Sequence, residues 1–114
     1  HTLIPVCPEQ LGGLPTPRPP SELDAGMVKT RGGQDVTEQF ERGARLVCEI
    51  AAICGCTHAV LKQRSPSCGS TCVYDGTFSG VLIPGEGKAA AMLRRNGIHV
   101  VDEDGVHLLH ELAL

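Results

Sequence analysis

The sequence predicts an α/β fold, one domain with a mainly parallel sheet flanked by helices in a Rossmann-like layering. Three observations predict it. Phe40, Ala44, Val47, Ala51 and Cys54 recur at steps of four, three, four and three, which marks one helix face. Two short apolar runs, 58–62 and 98–101, read as strands of the buried parallel type. Strand and helix alternate along the chain, as crossovers between parallel strands require.

The elements follow in order. Leu3 to Val6 reads as the end of a strand, and Cys7 to Gly13 as the loop after it. Six of the eight prolines lie in the first 20 residues, so Pro5 to Pro20 cannot be a regular helix. Leu14 to Pro20 is therefore a rigid extended piece. Met27 to Thr30 is a short strand, and Gly32-Gly33 a turn. Asp35-Val36-Thr37-Glu38 has the form of a capping box, with Asp35 or Thr37 as N-cap. The helix it starts ends near Gly55. Glu38/Arg42 and Glu41/Arg45 are i,i+4 pairs on its polar face.

His58 to Lys62 is the next strand, and it runs into a polar loop, 63–72. Tyr74 to Gly80 is turn-rich, with Asp75-Gly76 as a turn. Pro84 suits the first turn of a helix over Glu86 to Arg95, and Gly97 suits its C′ position. Ile98 to Val101 is a strand that ends at Asp102-Glu103-Asp104. Val106 to Leu112 forms a short last helix, with His107 and His110 as a surface pair.

Length and charge narrow the function. A chain of 114 residues fits one domain, 1–114, and can bury a core. A net charge of −3 argues against nucleic-acid binding. No apolar run approaches the roughly 20 residues of a membrane-spanning helix. The expected location is the cytoplasm. The sequence starts at His1 rather than Met, and the reading is that upstream residues are omitted.

Six cysteines allow three readings. A full-size core and irregular spacing argue against a secreted disulfide scaffold. A metal or cluster site and inert buried thiols remain. Cys54, on the apolar stripe, is expected in the core. Cys54-Gly55-Cys56 alone is a weak metal signal. Cys72 is expected to serve its loop or packing.

Two loops carry the chemistry. Pro5-Val6-Cys7-Pro8-Glu9 and Ser65-Pro66-Ser67-Cys68-Gly69 each follow an apparent strand, at the edge where α/β sheets bind ligands. Proline stiffens each cysteine, and glycine admits close approach. Lys62 and Arg64 could hold an anion or lower a thiol pKa. Glu9 is a candidate general acid or base, and Ser65 or Ser67 a candidate for positioning substrate or water. The plainer reading of Glu9 is a helix-capping carboxylate or a partner for Arg18. Gly85-Glu86-Gly87-Lys88 lacks phosphate-loop spacing.

Several stretches taken together resemble the 2-thiouracil desulfidase family, formerly a domain of unknown function in bacterial-type proteins. They are Pro5 to Glu9 with Gly12 to Arg18, Gly33 to Thr37 with Phe40 and Gly43-Ala44, and Leu61-Lys62 with Ser65 to Gly69. Tyr74 to Gly80 and the pattern from Gly87 to Val101 complete the set. The resemblance implies a [4Fe–4S] cluster held by three cysteines, with Cys7 and Cys68 as two of them. It implies non-redox removal of sulfur from thiolated pyrimidines such as 2-thiouracil. The family's remaining ligand sits in a Cys-Leu-x-Gly motif after its first strand. No such motif occurs here, so the third ligand is expected upstream of His1. The competing reading is a non-catalytic iron–sulfur or metal-binding module.

Overall fold

The computed structural model describes residues 2–108. In order these are α1 (Pro8–Leu11), β1 (Ser21–Asp24), β2 (Met27–Thr30), α2 (Thr37–Cys54), β3 (His58–Leu61), β4 (Cys72–Tyr74), β5 (Leu82–Pro84), α3 (Lys88–Arg95) and β6 (His99–Asp102). A 3₁₀ segment, Glu103–Leu108, follows. The expected last helix starts within that segment, and the rest of it, with His110, lies outside the described residues.

Among the described residues the parallel part of the fold is a single strand pair. β3 and β6 align His58 with His99 and Leu61 with Asp102, and α3 lies on the crossover between them. α2 and α3 cover one face of this pair. There Val47, Ala51, Leu61, Ala90, Leu93 and Val100 form one core. The other face carries His58 and Val60, both exposed. β3 is therefore buried on one side only among the described residues.

Two antiparallel hairpins replace the rest of the expected parallel sheet. β1 pairs with β2 around Ala25-Gly26, both at positive φ, 51° and 85°. That is the backbone sign a two-residue hairpin turn needs. β4 pairs with β5, so Pro84 closes a strand and does not open a helix. The described strands thus form three two-stranded sheets, one parallel and two antiparallel. Val28, Val36 and Phe40 make a second core, with Leu14 and Leu23 packed on it.

The helix ends follow the sequence closely. Gly55 and Gly97 take positive φ, 68° and 82°. At each, the next N–H reaches back to the last turn, Cys56 to Ala51 at 2.9 Å and Ile98 to Leu93 at 3.0 Å. Both are Schellman closures. The start of α2 differs from the expected box. The Thr37 hydroxyl accepts from the Val28 N–H at 2.8 Å and so joins helix to hairpin. Val36 is the N-cap and makes no side-chain cap.

Other expectations also fail for local reasons. Leu3 to Val6 forms no strand, since no described strand pairs with it, and Leu3 is 84% exposed. The loop after Cys7 is instead a turn of helix that begins at Pro8, whose fixed φ suits a first helical position. Cys54 is exposed because the buried stripe of α2 stops at Ala51. Glu38/Arg42 and Glu41/Arg45 make no ion pair among the described residues. Glu41 faces Lys88 across the interface with α3 instead, at 3.7 Å.

Candidate iron–sulfur site

Two close backbone contacts place the cysteine loops. α1 lies directly on α2 at a pair of glycines. A Cβ on Gly43 would overlap the Pro8 carbonyl oxygen, and one on Gly12 would overlap the Gln39 carbonyl oxygen. This contact fixes Cys7, which stands just before α1 with its carbonyl accepting from the Leu11 N–H at 3.0 Å. The other contact joins α3 to the Cys68 loop. A Cβ on Gly87 would overlap the Ser67 backbone.

The Cys68 loop is held by backbone bonds on both flanks. Arg64 adopts a left-handed φ of 78° where β3 turns into the loop. The Ser65 hydroxyl oxygen accepts from the N–H groups of Ser67 at 3.2 Å and Cys68 at 2.7 Å. Lys88 donates its N–H to the Pro66 carbonyl at 2.8 Å. Ala89 and Ala90 donate to the Ser67 carbonyl at 2.9 and 3.1 Å. The opening N–H groups of α3, which could otherwise greet an anion, are used to hold this loop. That accounts for the absence of phosphate-loop character at Gly85 to Lys88.

Gln63 secures the far side. Its Oε1 accepts from the N–H groups of Ser70 and Thr71 at 2.8 and 3.1 Å. Its Nε2 donates to Asp102 at 2.7 Å, at the end of β6. Arg94 adds a bond to the Ser70 carbonyl at 2.6 Å. Sequence reading missed Gln63, because its partners lie on a different strand and no local pattern announces them.

The Cys7 side is built from charge. Arg18 Nε pairs with Glu9 Oε1 at 3.0 Å, and Nη2 lies 3.7 Å from Cys7 Sγ. Nη1 donates to the Pro15 carbonyl at 3.3 Å and to Thr16 Oγ1 at 3.1 Å. The plainer reading of Glu9, a partner for Arg18, is thus present in the structure. Burial is the largest single influence on Arg18 and lowers its pKa. Glu9 and Cys7 together outweigh it, so the guanidinium is held above its ordinary value.

The two loops reach one site. Burial pushes the Cys68 thiol up, the Ser67 and Ser65 hydroxyls pull it down, and the charges of Glu9 and Cys7 push it up again. Groups of both loops therefore act on Cys68. Lys62 and Arg64 are exposed and take no part in that shift. Ser67 is fully buried, and its hydroxyl has no hydrogen-bond partner among the described residues.

This arrangement fits a thiolate-bound iron centre. An unsatisfied buried hydroxyl costs free energy unless it finds an acceptor, and a thiolate at Cys68 is such an acceptor. Soft thiolates are also the ligands that iron–sulfur clusters use. No group of three or more metal-ligating side chains forms among the described residues. Cys7 and Cys68 are the two thiols on these loops that could serve as such ligands. Two cavities lie elsewhere. One of about 730 Å³ runs between the β1–β2 turn, β5 and α3, and one of about 230 Å³ lies under the proline segment. Neither is lined by Cys7, Glu9 or Cys68, although Arg18 borders the smaller.

The chain is similar to known proteins over most of its length. The family model described as 2-thiouracil desulfurase matches residues 1–105. The solved structure of the [4Fe-4S]-dependent thiouracil desulfidase TudS is similar with a TM-score of 0.90 and 50% identity. The match covers 94% of this chain and 71% of that one. The uncharacterized protein YbbK of Bacillus subtilis is 40% identical over 109 residues, covering 87% of this chain and 72% of its own length.

Proposed function

This chain belongs to the 2-thiouracil desulfurase family, and from that premise we propose that it removes sulfur from thiolated pyrimidines such as 2-thiouracil, without net redox change. The net reaction exchanges a thiocarbonyl sulfur for a water oxygen and releases hydrogen sulfide, so atoms and electrons balance. The observations that support the reading are the buried, unpartnered Ser67 hydroxyl next to Cys68 in sequence and the Arg18 guanidinium that joins Cys7 to Glu9. In this proposal both cysteines are ligands of a [4Fe–4S] cluster that takes a third thiolate besides them. When bound, such a cluster offers a Lewis-acidic iron that suits a soft thiocarbonyl sulfur.

This chain's own residues do the rest. Glu9 carries the proton between water and the leaving sulfur, and Arg18 sets the position of its carboxylate through the 3.0 Å pair. Ser65 and Ser67 are positioning groups in this account, acting through the Cys68 turn. The substrate is a small molecule, with neither nucleic acid nor membrane as partner. No described helix is long and apolar enough to cross a membrane, and we place the enzyme in the cytoplasm. Rossmann-like layering would require cover on the exposed Val60 face of the β3–β6 pair.

The test is anaerobic reconstitution of the full-length protein, followed by 2-thiouracil. The expected result is uracil and sulfide in equal amounts from a preparation with about four iron per chain. A loaded cluster with no turnover on several thiolated bases favours the non-catalytic module. A protein that binds zinc and refuses iron refutes both.

A further inference from the structure

Arg18 connects the parts of the Cys7 side that the proposed reaction uses. All three guanidinium nitrogens are engaged, and each faces a different group. Nε holds Glu9 at 3.0 Å, Nη1 holds the proline segment through Pro15 and Thr16, and Nη2 points to Cys7 Sγ at 3.7 Å. Gln10 Nε2 donates to Thr16 Oγ1 at 3.0 Å, so α1 is tied to the same segment. A fork of this kind sets direction as well as charge, and lysine cannot reproduce it. Among the described residues no other cation bonds Cys7 or Glu9, and Lys62 and Arg64 are exposed. Lys88 bonds the Gly26 carbonyl and faces Glu41, and Arg94 bonds Ser70 and Glu86.

We infer that Arg18 is a positioning residue that orients the Cys7 sulfur and the Glu9 carboxylate together, and that its N–H and charge stabilise electron density on the cluster through Cys7. The inference rests on Cys7 being a cluster ligand. Hydrogen bonds to ligand sulfur and local charge both set cluster potential, and a cation favours the more reduced, more negative state. Removing Arg18 therefore moves the midpoint potential to a more negative value. It also weakens the hold on iron.

The experiment uses full-length, anaerobically loaded protein and its Arg18→Gln, Arg18→Lys, Cys7→Ala and Lys88→Gln variants. Midpoint potential and the rate of iron removal by a chelator are measured on each. Arg18→Gln is expected to shift the potential negative and to lose iron about tenfold faster, the factor for one charge-assisted hydrogen bond. Arg18→Lys, which keeps charge but not the fork, shifts less. Lys88→Gln leaves both readouts unchanged. A wild-type potential and iron-release rate in Arg18→Gln, or a positive shift, overturns the inference. If Arg18→Gln does not take up iron, Arg18→Lys decides, and a wild-type potential there is the overturning result. Cys7→Ala separates the two layers. Normal iron content in that variant breaks the ligand reading itself, whatever Arg18 does.

Discussion

Cys7 and Cys68 stand on loops built in different ways. The Cys7 side depends on side-chain charge, with Arg18, Glu9 and the sulfur in one partly exposed group. The Cys68 side depends on backbone. Ser65 and Gln63 accept its N–H groups, and the start of α3 donates to its carbonyls. Partly exposed charge pairs are weak and open to solvent, whereas buried backbone bonds are costly to break. Under the proposed function these are two tasks, in which the backbone-held loop would fix the place of a cluster and the polar loop would bring the proton and the charge.

The comparison can be broken most severely at Glu9. Glu9→Gln is expected to slow desulfuration by about 10²-fold or more, the range for loss of a general acid or base. Its effect on stability should stay within about 1 kcal/mol, since the Arg18 pair is only partly buried. Near-normal turnover in loaded Glu9→Gln would remove the proton-carrier role. The glycine contacts come next. Alanine in a helix interior normally helps by about 1 kcal/mol over glycine. Gly43→Ala should instead destabilise, by about 1–3 kcal/mol, because its Cβ meets the Pro8 carbonyl. Gly87→Ala should cost a similar amount through Ser67. Denaturant melts decide the sign, and a stabilised Gly43→Ala would show that α1 does not press on α2.

Gln63→Leu tests the backbone side at smaller scale. It strips acceptors from the Ser70 and Thr71 N–H groups, with an expected loss of about 1–3 kcal/mol. Hydrogen exchange at Ser70 and Thr71 should rise while that at Gly12 stays unchanged. Equal change at both would mean the two loops are one mechanical unit. The smallest effect is expected away from both loops, at Asp35. The Thr37 hydroxyl, and then its N–H, hold that carboxyl below its ordinary value. A carboxylate so lowered stabilises above its ordinary pKa of about 3.9, and the contribution is lost as pH falls through the folded value. Asp35→Asn should lower the neutral Tm slightly and leave the acid Tm unchanged, which flattens the acid limb of the profile.

Much of the frame was legible because its signals are local. The α2 stripe from Phe40 to Ala51, the closing glycines Gly55 and Gly97, the parallel strands at 58–62 and 98–101 and the Asp75-Gly76 turn each rest on neighbours a few residues apart. The hairpins were hidden. β1 has four residues, and its alternation means little until β2 is seen opposite. Cys54 carried the right period but stood one turn past the end of the core. Of the candidate site, the motif cysteines and Glu9 are expectations that the sequence itself offers. It does not offer the forces that hold them. Arg18 reaches Cys7 across 11 residues of proline-rich chain, and Gln63 reaches Asp102 across 39.

The central claim is that these two unlike loops hold one iron centre, and iron content tests it most directly. In full-length, anaerobically reconstituted protein, Cys7→Ala and Cys68→Ala should each fall from about four iron per chain to nearly none. Cys72→Ala should keep its iron and its colour. Either Cys7→Ala or Cys68→Ala retaining a full complement of iron, with uracil still formed from 2-thiouracil, would contradict the account.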